Sequence, residues 1–80
     1  MDIVTFVDQI VELYDDIGDT IIESETPFRD VPSWSSIVGM SIIIMVDEEY
    51  GVKLRSDDIR GAHTIKDIYN KVKALKDLTA

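Results

Sequence analysis

Ile3, Phe6, Val7, Ile10, Leu13, Tyr14 and Ile17 recur at steps of three and four from the start of the chain. That spacing puts them on one face of a helix. Asp2, Asp8, Glu12, Asp15 and Asp16 fill other positions, and Gly18 is a ready C-terminal stop. The pattern predicts a first helix over 2–17. The periodicity then breaks. Thr26-Pro27, Pro32 and a Ser/Asp-rich composition discourage regular structure over 19–35. Phe28, Val31 and Trp34 are too apolar for a free linker and are expected to pin this long loop onto the helices.

The segment from Ile37 to Val46 is almost wholly apolar, so its period cannot choose a face. The run Ile42-Ile43-Ile44 would suit a strand, because β-branched side chains pack well on a pleated surface. Length decides for a buried helix: 36–50 contains no proline and ends in Asp47-Glu48-Glu49, Tyr50 and Gly51. Ser35 is the expected N-cap. Ser56 with Asp57-Asp58 reads as the start of a short helix over 56–61, with acids in its first turn. Thr64-Ile65-Lys66-Asp67 resembles a capping box with Asp in place of the usual Glu or Gln. It opens a last helix over 64–77 that presents Ile65, Ile68, Tyr69, Val72 and Leu75 on one face, with Lys71, Lys73 and Lys76 toward its end. The reading is all-α: a four-helix bundle, residues 1–80 as one domain, with a long loop after helix 1 and a short helix 3.

Composition narrows the function. Eighty residues leave no room for a cleft between two lobes. The chain has no cysteine, which removes disulfides and thiolate ligands and fits a cytoplasmic protein. No basic, signal-like apolar stretch opens the chain. Its longest apolar run, Ile42 to Val46, is too short to span a bilayer, so no membrane insertion is expected. The net charge of −8 argues against nucleic acid as a partner. Residues 1–50 carry twelve acids and one base, Arg29, whereas residues 51–80 carry four acids and seven bases. The acidic part suits a partner with basic patches, or serves solubility.

Candidate chemistry is sparse. His63 is the single histidine and lies in a turn. No second histidine or cysteine exists to build a nucleophile–base pair or a transition-metal site. Asp15-Asp16-Asp19, Asp47-Glu48-Glu49 and Asp57-Asp58 lack the ligand spacing of a calcium loop. An enzyme acting alone is therefore not expected. Trp34-Ser35-Ser36-Ile37 remains. As capping chemistry it is a tandem serine at a helix start. As function it offers a hydroxyl at the first turn of a helix, where free N–H groups and the positive helix end would stabilise a phosphodiester.

With these residues in place the chain resembles the acyl carrier protein family over nearly its whole length. The family's signature is Asp-Ser-Leu at the start of helix 2, followed by an apolar helix that ends in acids, an aromatic residue and glycine. Ser36-Ile37 stands at Ser-Leu, and Asp47-Glu48-Glu49-Tyr50-Gly51 matches the helix end. Phe28-Arg29-Asp30-Val31 resembles the loop motif upstream of the serine. Val52, Leu54, Asp57-Asp58, Ile59, Thr64-Ile65, Asp67 and Ile68 continue the match. Two departures stand out. Ser35 replaces the usual Asp, and Val38-Gly39-Met40-Ser41 with Ile44 replaces the acidic stripe of helix 2.

The resemblance implies a 4'-phosphopantetheine arm attached to Ser36. That arm would hold acyl intermediates as thioesters for fatty acid, polyketide or related biosynthesis. It also implies a monomer served by a phosphopantetheinyl transferase and by acyl-transferring or condensing enzymes with basic or apolar docking patches. Ser35, Ile37, Met40, Ile44, Asp47 and Glu48 would form the docking face. Ile42, Val46, Ile59, Ala62 and Ile65 would line an acyl chain, or else simply pack as core. The alternative is a carrier-like interaction module without a prosthetic group, binding a basic partner.

Overall fold

The structure, a computed structural model, describes residues 1–79. Its element order is α1 (Ile3–Val11), a 3-10 turn (Phe28–Asp30), α2 (Ser36–Tyr50), α3 (Ser56–Gly61) and α4 (Ile65–Thr79). The fold is all-α, a four-helix bundle with a long first loop and a short third helix, and the described residues contain no strand. No helix among them is long and apolar enough to cross a membrane.

Each helix starts and stops for a local reason. Asp2 caps α1: its carboxylate accepts from the Val4 N–H at 3.1 Å and from the Thr5 hydroxyl at 3.2 Å. The expected extent of helix 1, 2–17, is corrected: α1 ends at Val11. Leu13 and Tyr14 bond back only three residues, to Ile10 and Val11, which tightens the chain out of the α-helix. Asp16 then folds its own carboxylate onto the Gly18 N–H at 2.9 Å, and Gly18 takes a φ of 58°. This Asx turn competes with helix continuation, and the apolar spacing to Ile17 does not register that competition. Gly18 is therefore a turn residue and not the helix stop. At α4, Thr64 and Asp67 cap each other: the Asp67 N–H donates to the Thr64 hydroxyl at 3.2 Å, and the Thr64 N–H donates to the Asp67 carboxylate at 3.0 Å. That reciprocal pair is the capping box.

The core is one cluster. Phe6, Ile10, Phe28, Ile42, Val46, Ile65 and Val72 are fully excluded from water, and Ile68 nearly so. The long loop is held down as expected. Phe28 and Val31 are buried, and Trp34 is half-buried against Phe28 with ring centroids 5.3 Å apart. The Tyr14 hydroxyl donates to the Phe28 carbonyl at 2.6 Å, and burial pushes this phenol up to about 12. Backbone bonds from Ile65 to Thr26 and from Lys66 to Ser24 fasten the loop to the start of α4.

Candidate functional site

Ser36 is the first residue of α2 and is exposed. Three features set its surroundings. The loop from Phe28 to Trp34 is anchored, so the residue before α2 has a fixed entry. Ser35 occupies the N-cap with an extended backbone, and its carbonyl accepts from the Gly39 N–H at 3.2 Å. Its hydroxyl makes no cap bond, so Ser35 caps by backbone alone and leaves the first N–H groups of α2 without a side-chain acceptor. The Ser36 hydroxyl likewise has no hydrogen-bond partner among the described residues.

A groove of about 290 Å³ opens beside Ser36, between α2 and α3. Trp34, Gly39, Met40, Ile43 and Ile59 give it apolar walls, and Ser56 and Arg60 add polar groups from α3. Gly39 lies under the Trp34 ring. A Cβ at that position would stand 3.4 Å from the nearest ring atom, an ordinary van der Waals contact, so the indole packs directly over this point of the helix.

Of the expected docking residues, Ser35, Ile37, Met40, Ile44 and Glu48 are all exposed. Ile37, Met40 and Ile44 are 75%, 63% and 54% accessible, and their spacing of three and four places them in one stripe leading from Ser36 toward Glu48. Asp47 differs. It is half-buried and paired with Lys53 at 2.7 Å, so its charge is already answered within the chain. Of the expected lining residues, Ile42, Val46 and Ile65 lie fully in the packed core. Ile59 lines the groove beside Ser36. Ala62 lines a separate open depression with Asp57, Asp58, Gly61, Asp67 and Lys71.

Sequence reasoning missed Trp34, Gly39, Ile43, Ser56 and Arg60 as groove residues. Gly39 was the available signal: a lone glycine inside an apolar helix marks a close approach. It also missed Arg29, whose guanidinium donates to the Ile59 carbonyl at 2.6 Å and the Ala62 carbonyl at 2.7 Å.

His63 is exposed, and only its backbone N–H is engaged, by Asp67 at 2.9 Å. Two backbone N–H bonds, from Thr64 and then His63, hold the Asp67 carboxyl below its ordinary value. Among the described residues no group of three His, Asp or Glu side chains is placed to hold a metal ion. The chemistry this site offers is that of a free hydroxyl at a helix start, next to a small, mostly apolar groove. Comparison with protein-family models, curated proteins and solved structures returns no match for this chain.

Proposed function

We propose that the chain is a carrier domain of the acyl carrier protein kind, with a phosphopantetheine group on Ser36. One observation carries the reading. Ser36 presents an exposed, unbonded hydroxyl at the N-terminus of a fifteen-residue helix, at the end of an anchored loop.

The residues fit such a group. A phosphodiester on Ser36 would sit at the positive end of α2, among N–H groups that Ser35 leaves without a side-chain acceptor. The adjoining groove is apolar over most of its wall and could receive atoms that follow the phosphate. When bound, the group supplies a thiol that holds an acyl chain as a thioester. The chain's own residues hold and orient it: Ser36 by the covalent link, the α2 N-terminus by charge, and the Trp34–Gly39 wall by shape. The protein performs no chemical step by itself. The exposed stripe of Ile37, Met40 and Ile44 supports docking to partner enzymes through apolar contact, with Glu48 as its charged end.

The test is intact mass after incubation with coenzyme A and a broad-specificity phosphopantetheinyl transferase. One phosphopantetheine should be gained by the native chain and none by Ser36→Ala. A native chain that stays unmodified overturns the reading. The same apolar stripe supports a second reading, an interaction module without a prosthetic group, and failure of loading would favour it.

A further inference from the structure

We propose that Arg29 is a latch that sets the width of the groove beside Ser36 by tying both of its walls to one guanidinium. The latch acts on the groove itself and stands whether or not Ser36 carries an arm.

Arg29 is the sole base among residues 1–50, which carry twelve acids. Its guanidinium is spent on carbonyls far along the chain and not on those acids. Its two terminal nitrogens reach Ile59 O at 2.6 Å and Ala62 O at 2.7 Å, in the last turn of α3 and just beyond it. Hydrogen bonds from a charged donor are stronger than neutral ones, and a cation suits the C-terminal end of a helix. A planar fork can also hold two carbonyls at fixed separation, which a lysine cannot do.

The second wall is tied through aromatic contact. The Arg29 guanidinium carbon lies 4.6 Å from the centroid of the Phe28 ring. Phe28 meets Trp34 edge-on at 5.3 Å. Trp34 forms the loop side of the groove, and Ile59 and Arg60 form its α3 side. The link between the two walls thus runs from the α3 carbonyls through Arg29 and its neighbour Phe28 to Trp34. α3 has only six residues, too few to be stable as an isolated helix. In the first turn of α3, Asp58 pairs with Lys71 of α4 at 3.6 Å. Release of Arg29 therefore frees the C-terminal end of α3 while its first turn stays tied to α4, and the groove opens as a hinge would.

The latch is tested on the whole unloaded chain by amide hydrogen exchange together with acrylamide quenching of Trp34, the single tryptophan. In Arg29→Ala the Ile59 and Ala62 amides should exchange about tenfold faster, and Trp34 should become more quenchable. Amides of Ile10 and Val72 should change only by the shift in global stability, read from a urea titration. Arg29→Lys should fall between the two, because an ammonium reaches one carbonyl but not both. If α3 amides accelerate no more than those of Ile10 and Val72, or if Trp34 does not respond, the latch is overturned. Should Arg29→Ala fail to fold, exchange of the native chain at sub-denaturing urea decides the matter. Joint opening of α3 and Trp34 below global unfolding supports the latch; opening of α3 only with the core overturns it.

Discussion

α2 and α4 are each fifteen residues long, yet they present opposite surfaces. α4 buries Ile65, Ile68 and Val72 and turns Lys66, Asp67, Asn70, Lys71 and Lys73 to water. Only near its end does it expose a large apolar side chain, Leu78. α2 buries Val38, Gly39, Ile42 and Val46, but its outer face carries Ile37, Met40 and Ile44 where α4 has lysines. Scattered exposed apolar residues need no explanation, whereas Ile37, Met40 and Ile44 are aligned on one face beside Ser36. In α4 the water-facing side is written in charge; in α2 it is not.

The comparison predicts equal seating of the two inner faces. Ile42→Ala and Ile68→Ala remove side chains that are 0% and 1% exposed. Each should cost about 2–5 kcal/mol in urea unfolding. A cost for Ile42→Ala below about 1 kcal/mol, the range of a surface position, would mean that α2 is not seated as described.

The helix starts differ as well, with a smaller expected effect. Thr64→Ala removes a cap that the structure shows made, and should cost about 1 kcal/mol. Ser35→Ala removes a hydroxyl that caps nothing and should cost less than about 0.5 kcal/mol. The α4 start is also acid-sensitive. The Asp67 carboxyl is held below its ordinary value chiefly by the Thr64 and His63 N–H groups. A depressed carboxylate contributes stability that is fully present above its unfolded value, about 3.9. That stability is lost as pH falls through the lower folded value. Asp67→Asn should therefore lower the urea midpoint at neutral pH, and the two curves should converge below about pH 3.9. Curves that stay parallel would remove Asp67 from the cap.

The same contrast explains what was legible in sequence. α4 was readable almost residue by residue, because Thr64, Asp67 and the step from Ile65 to Ile68 to Val72 are local signals. The bounds of α2 and α3 were legible from Ser36, Gly51, Ser56 and Gly61. The end of α1 was not, since the chain tightens into three-residue bonds at Leu13 and Tyr14 and then into the Asp16 turn, none of which apolar spacing shows. The exposed position of Ser36 followed from its place at a helix start. The groove did not, because the α3 wall reaches it through a fold-back that brings Arg29 to Ile59 across thirty positions. The outer face of α2 was least legible: in a uniformly apolar helix, only packing says which residues are left in water.

The smallest effect on stability tests that outer face. Ile37→Ser, Met40→Ser and Ile44→Ser should each change the unfolding free energy read from urea titration by no more than about 0.5 kcal/mol, since none seals the core. If one of them destabilises like Ile42→Ala, the stripe is structural and the contrast with α4 collapses. If stability holds, the same variants separate contact from packing. Loading by the transferase should lose about tenfold in kcat/KM for the variant nearest the centre of the contact, because a few apolar side chains carry most of an interface's energy. Ser36 itself is untouched in all three. A change confined to KM would then place the loss in docking on α2 and not at Ser36, the proposed attachment site.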